Sequence, residues 1–424
     1  MKKLLFSSIL LGFGTLSMMA QSGTKSPYSQ YGLGILADQS QTANRGMGGV
    51  SQGLRSGNQV NMQNPASYSA VDSLSMVVDA AVSGQITNFK EGGSRVNAKT
   101  ANFEYATALF RVFPKFGASI GVVPYSNIGY GYITEEGIKN SSAKALMSYL
   151  GLGGLHQAYL GLGYELFKGF SLGVNASYLW GEYERTVTVL SGEDNGNSLI
   201  KGYGADFSSY KLDFGLQYQQ KLPKGSSLTV GATFGLGLKL GADASMMIIS
   251  NGGSDTTTIA NAHSIPMTIG GGIAYNHRRS LTIAADYQLQ RWSEVDYPGT
   301  NLSTGQYSLM KGIYSDRHKV MVGADWLPSA DPMARGFLKH VHYRIGASYT
   351  TPYYKINGQD GPREINVSAG LGIPLVNAWN NRSVLNVSFQ WVNQSAKNLI
   401  TENSFRITLG LTFNERWFAK WKVD

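Results

Sequence analysis

The sequence contains no cysteine. Disulfides, thiolate metal sites and cysteine-based redox or nucleophilic chemistry are therefore excluded. Charge is scarce as well: 15% of the 424 residues are Asp, Glu, Lys or Arg, against roughly 25% in an ordinary soluble domain. Beyond residue 20 no stretch reaches the roughly 18 to 20 apolar residues of a membrane-spanning helix. The formal net charge is +9, but the basic residues are dispersed rather than clustered with stacking aromatics. That distribution argues against nucleic acid and for contacts with acidic lipid headgroups at a membrane rim.

Chemical motifs are equally thin. Gly49-Val50-Ser51-Gln52-Gly53 and Gly117-Ala118-Ser119-Ile120-Gly121 match G-x-S-x-G, yet neither has the strand-to-helix elbow, His and acid that a serine hydrolase needs. His340 and His342 without further ligands make a poor metal site. No catalytic residue, metal or cofactor is expected, and the chain does not read as an enzyme.

Present instead are 52 Gly, 24 Tyr and a recurrent alternation of apolar and polar residues. In Ser404 to Phe413, the residues Phe405, Ile407, Leu409, Leu411 and Phe413 alternate with Arg406, Thr408, Gly410 and Thr412, one apolar face against one polar. The pattern recurs about fourteen times, from Leu74–Ile86 to this last strand. A chain of such strands without an apolar helix reads as an all-β transmembrane antiparallel barrel, the β architecture that satisfies every backbone group inside lipid. Short linkers after even strands and long ones after odd strands set the short turns, and with them both termini, on the periplasmic side. The aromatic end of the last strand is similar to the insertion signal of bacterial outer-membrane proteins. Lipid and the barrel assembly machinery are then expected partners during biogenesis. The aromatic and basic tail, Trp417, Phe418, Lys420, Trp421 and Lys422, suits the periplasmic membrane interface.

Met1-Lys2-Lys3, the apolar run Leu4 to Phe13 and a small-residue end at Ala20 read as a secretory signal over 1–20. Residues 21–72 do not alternate and are rich in Gly, Ser, Gln and Asn, as a segment packed inside a barrel must be; residues 73–424 form the wall and tail. The inward positions Asp79, Glu104, Lys211, Asp213, Lys239, Asp286, Lys319, Asp325, Arg344, Glu364 and Arg406 are of mixed sign and read first as ion pairs bracing the wall. In the second strand Phe103, Tyr105 and Leu109 are expected outward. The third strand carries Gly117, Gly121 and Val123-Pro124-Tyr125; a proline donates nothing to a ladder, so the pairing should fail near Pro124, as a side exit or as a bulge. Ala143, Leu146, Met147, Leu150 and Leu152 are spaced as on a short helix over Asn140 to Leu152, an apolar capture surface at the mouth or a helix packed on neighbouring loops.

With the signal, Gly57-Asn58 upstream of Asn64-Pro65-Ala66, the interrupted third strand and Gly153-Gly154-Leu155 leading into Tyr159-Leu160-Gly161-Leu162-Gly163-Tyr164, the chain resembles the FadL-like long-chain fatty acid and aromatic hydrocarbon transporters of Gram-negative outer membranes. The resemblance implies a fourteen-stranded barrel and a hatch marked by Gly57, Asn58, Asn64, Pro65 and Ala66. It further implies a lateral opening at Gly121, Pro124 and Tyr125, and capture of a hydrophobic small-molecule ligand at Leu146, Met147 and Leu150. Two functions stand: passive uptake of hydrophobic molecules by hatch movement and lateral release, or a non-transporting accessory barrel with protein partners in an outer-membrane assembly or secretion complex.

Overall fold

The computed structural model describes residues 23–73, 75–137, 144–190, 199–301, 305–331, 334–375 and 383–416. The expected signal at 1–20 and the tail from Trp417 lie outside them.

Fourteen strands make the wall: β1 (Ser75–Glu91), β2 (Ser94–Phe113), β3 (Phe116–Gly137), β4 (Lys144–Phe167), β5 (Phe170–Leu190), β6 (Leu199–Leu222), β7 (Ser226–Gly235), β8 (Thr268–His277), β9 (Leu281–Gln290), β10 (Arg317–Trp326), β11 (His342–Thr350), β12 (Arg363–Leu375), β13 (Ser383–Ser395) and β14 (Thr401–Arg416). Each pairs antiparallel with the next, and β14 pairs with β1 from Arg416–Ser75 to Thr401–Lys90, closing the ring. Closure leaves no strand edge to be satisfied by lipid. In β14 the apolar set from Phe405 to Phe413 is exposed, while Ser404, Thr408 and Thr412 are buried, so the alternation sorts a lipid face from a lumen face.

At one end the strands are joined by turns of a few residues, as at Phe113–Phe116 and Phe167–Phe170. The Phe167 and Phe170 rings stack there at 4.7 Å, and Tyr178 and Trp180 stack nearer the other end. Such aromatic pairs mark the two membrane interfaces. At that other end β4, β5 and β6 run to 24, 21 and 24 residues, about twice the 9–11 that cross a bilayer. Their outer halves, with the hairpin Ala244–Ser250 and Gly253–Ile259 paired onto β6, stand above the membrane.

Three expectations are corrected. Tyr105 and Leu109 face the lumen and are buried, because a bulge between the Ala81–Tyr105 and Val82–Phe103 pairs inserts Glu104 and reverses the phase beyond it. Leu146, Met147 and Leu150 lie on β4, not on a helix; the even-numbered leucines 146, 150 and 152 fit period 2 as well as period 3.6, and pairing with Glu135, Thr134 and Gly131 of β3 decides. Residues 140–143 of that expected helix lie outside the described residues. Lys239 is not in the lumen: β7 ends at Gly235, and Leu238–Lys239 pairs with Ser264–Ile265 with Lys239 exposed.

Candidate functional site

Residues 23–72 pack against the inner face of the wall. Gln52 and Met47 show how. A Cβ on Gly231 of β7 would fall on the Gln52 carbonyl, and one on Gly323 of β10 or Gly346 of β11 on the Met47 backbone. The same close approach sets Tyr68 against Gly117, Pro65 against Gly173, and Thr42 against Gly410. The segment's backbone is thus seated in notches that wall glycines leave, an approach only a residue without Cβ permits.

Polar side chains fasten it. Asn64 caps the short 3-10 turn Pro65–Ala70, accepting from Ala66 N–H at 3.2 Å, and its amide donates to the Gln52 carbonyl at 2.8 Å and to the Leu216 carbonyl of β6 at 3.2 Å. Pro65 sits at the first position of that turn, where its missing N–H costs nothing. Ser69 and Ser171 of β5 are 2.9 Å apart, oxygen to oxygen, and Asp286 of β9 accepts from the backbone N–H groups of Ser51 and Gln52. Gly57 closes the loop by accepting from Asp72 N–H at 3.1 Å, with no room for a Cβ beside the Asp72 carboxyl; Asn58 bonds locally to Ser56.

Arg45 is the centre of this fastening. It is fully buried, its Nη1 lies 2.7 Å from Glu104 Oε2, and it donates to the carbonyls of Ser40 and Asp38 at 2.8 and 2.6 Å. Burial alone would raise the Asp38 carboxyl, but the cations of Lys319 and Arg45 hold it below the usual carboxylate range. Lys211 with Asp213 and Arg344 with Asp325 are further internal pairs.

Pro124 and Tyr125 mark a break in the wall. Pairing of β3 with β2 ends at Ala106–Val122, while pairing with β4 continues through a bulge between Pro124 and Ser126. Gly121, just before the break, packs against Thr107 and the Tyr159 ring. Facing Pro124 and beyond, β4 has positive φ at Gly153 and Gly154 (129° and 148°) and β5 at Gly181 (150°), so the line of pairing from β3 through β4 to β5 carries backbone that glycine alone adopts readily. The two-residue strand Ile35–Leu36 pairs with Asn127 and Ser126 in the place β2 has left, and Ala37 N–H donates to the Tyr125 carbonyl at 3.0 Å. Gly23 lies against Asn102 and Asn127 at the same break.

Behind the break is a cavity of about 190 Å³. Its lining is mostly polar, with Gln85, Asn102, Gln157, Asn175 and Gln390 and the charged Glu104, Lys211, Arg317, Lys319 and Glu402, but includes Ile35, Met62, Phe234 and Val392. Beyond it an aromatic layer fills the long-loop end of the barrel. Trp292 is fully buried, its ring centre 4.6 Å from that of Tyr353 and 5.2 Å from that of Tyr314, and Tyr28, Leu33, Tyr125 and Tyr183 belong to the same cluster. Arg185 stacks 4.4 Å from the Tyr183 ring and donates to the Gly32 carbonyl at 2.6 Å. His263, in contact with Tyr183 and Phe207, is held down to about 3 by burial and by the Arg185 charge.

The expected capture residues do not gather. Leu146 and Leu150 are 46% and 50% exposed on the outer face of β4, and Met147 is within reach of the Tyr149 hydroxyl. What the sequence reading missed are Arg45 as anchor, the inward glycines as notches and Trp292 with Tyr353 as a lid. Tyr353-Tyr354 and Tyr28 with Tyr31 were visible as aromatic pairs, but the loops that bring them together are far apart in sequence.

The family model described as BamG matches residues 1–424. No curated protein matches the chain. Among solved structures it is similar to the toluene transporter TbuX of Ralstonia pickettii (14% identity, TM-score 0.61, covering 89% of this chain and 98% of that one). It is also similar to a FadL homologue of Pseudomonas aeruginosa (12%, 0.61, 89% and 98%) and to the toluene transporter TodX of Pseudomonas putida (16%, 0.59, 90% and 100%). The fold is that of these outer-membrane barrels.

Proposed function

The chain belongs to the BamG family, and from that membership together with its plugged, polar interior we propose that it is an accessory barrel of an outer-membrane protein assembly complex. The family name carries a barrel-assembly context. The observation that carries the reading is the seating of residues 23–72 on glycines of the wall, Gly231, Gly323 and Gly410 among them. A hatch that swings must leave such notches, and every buried hydrogen bond left unmade costs about 1–3 kcal/mol. The space that remains is lined chiefly by amides and charges, with Ile35, Met62, Phe234 and Val392 among them, a poorer solvent for a hydrocarbon than a continuous apolar tunnel. In this reading the short turns and the carboxyl end of β14 face the periplasm, and residues 23–72 are a fixed brace.

A second reading is favoured by the break at Pro124 and by the transporters that share the fold: a channel for hydrophobic molecules that releases them sideways between β2 and β3 when Ile35–Leu36 withdraws. Depletion of the chain separates the two. The first predicts slower conversion of newly made outer-membrane barrels to their heat-modifiable folded form, with toluene and oleate uptake unchanged. Uptake that falls while barrel folding stays normal would establish the channel instead.

A further inference from the structure

Where β4, β5 and β6 leave the membrane, the outward face of the wall changes character twice. Trp180 of β5, at the long-loop interface, is paired with His156 of β4 and Ser208 of β6. Glu182 and Glu184 are the next two outward positions of β5, Glu182 paired with Asp206 of β6 and Glu184 with Leu152 of β4. The three carboxylates are exposed, and none has an ion-pair partner among the described residues. Beyond this acidic row the face turns apolar. Ile133 of β3, Leu150 and Leu152 of β4, and Met247 and Ile249 of the outer hairpin are 37% to 66% exposed. They share one face of the sheet, since Leu150 is paired with Thr186, Thr186 with Gly202, and Gly202 with Met247. The small residues between the leucines and Met247 leave a shallow apolar floor.

Leu152 and Leu150 lie four and six residues beyond His156, about 10 to 15 Å further out at the rise and tilt of barrel strands. A cluster of this kind on a water-facing sheet marks a contact site. Lipid is not what covers it: sinking the barrel far enough to bury the leucines would carry Glu182, Glu184 and Asp206 into hydrocarbon. A symmetric second copy does not fit either. Two upright copies related by a twofold axis along the membrane normal would set acid against acid at the same height, and like charges opposed across an interface repel strongly. We propose that this face is the docking surface for a folded domain of a partner protein outside the membrane, one that presents an apolar centre and, at its membrane-proximal edge, lysine or arginine to Glu182, Glu184 and Asp206. The proposal deepens the assembly-complex reading and rests on it, with the long loops facing outward.

In cells expressing the full chain, a photoreactive benzoylphenylalanine at Thr186, in the floor of the face, should give an adduct with a protein other than this chain. The crosslinked peptide should carry apolar residues beside Lys or Arg, and a probe at Asn97, on the β1–β2 hairpin, should not give the same adduct. The adduct should fall about tenfold in Glu182→Lys/Glu184→Lys/Asp206→Lys and in Leu150→Gln/Met247→Gln. It should persist in Glu182→Asp/Glu184→Asp/Asp206→Glu, with heat-modifiable migration unchanged in all three. Changing the crosslinked partner's basic residues to glutamate should restore the adduct of the lysine variant. An absent adduct, one indifferent to charge reversal, or one with lipid or a second copy only would overturn the proposal. Thr256→Cys, on the outer hairpin, should take an impermeant maleimide in intact cells; no labelling would refute the orientation beneath it. Normal barrel folding on depletion, measured without the adduct, would refute the assembly reading on its own.

Discussion

Replacing Arg45 with methionine should loosen residues 23–72 more than any other single truncation in that segment. The guanidinium is wholly buried and makes an ion pair with Glu104 and two hydrogen bonds to backbone carbonyls. Its loss strands the Glu104 carboxylate, which then keeps Ser83 as its hydrogen-bond partner. Breaking a buried pair from one side costs about 3–5 kcal/mol. The double variant Arg45→Met/Glu104→Gln removes the stranded charge as well, and should recover roughly half of that loss. Urea unfolding of the folded barrel in detergent micelles, followed by tryptophan fluorescence and by gel migration without heating, measures each corner of the cycle. A single-variant loss below about 1 kcal/mol, or two losses that add within about 0.5 kcal/mol, would refute the idea that Arg45 and Glu104 tie the segment to the wall.

Three further outcomes follow from the same contacts. Gly231→Ala should lower the unfolding midpoint or block folding, because its Cβ collides with the Gln52 carbonyl, whereas Gly84→Ala, with open space around it, should change little; heat-modifiability on a gel distinguishes them. Trp292→Ala, at the centre of the outer aromatic layer, should cost about 3–5 kcal/mol in urea unfolding and admit a small dye to the mouth. His263 stays neutral in the fold down to about 3 but takes a proton near 6.5 when unfolded, so its contribution is complete above pH 6.5 and is lost as pH falls toward 3. The His263 contribution should fall by about 2 kcal/mol between pH 7.5 and pH 5, read as the difference in urea stability between the wild type and His263→Gln at the two pH values.

The barrel was legible because its physics is local. Lipid outside and lumen inside force a period of two, and the residues from Phe405 to Phe413 record it without reference to any other part of the chain. Where one residue is inserted, as Glu104 is, alternation continues on both sides and nothing in β2 alone reveals the change of phase; Tyr105 and Leu109 were therefore assigned to the wrong face. The Leu146 stretch failed for a different reason, since a few leucines at even spacing satisfy helix and strand alike. Pro124 was readable because proline's missing donor is a property of the residue itself. Arg45 was not, because its meaning lies in Glu104 and Asp38, and the former is brought to it only by closure of the ring. The glycines of the wall looked like generic composition until the backbone that rests on each was known.

The fixed N-terminal segment is the centre of the account, and a disulfide across the break tests it most directly. Ile35 and Asn127 are paired residues of adjacent strands, within reach of a bridge in Ile35→Cys/Asn127→Cys, and the chain supplies no competing thiol. We predict that the oxidised variant restores barrel folding in depleted cells as well as the wild type does. Failure of the oxidised form, relieved by reductant, would mean that Ile35–Leu36 must leave the break for the protein to work, and would contradict the account.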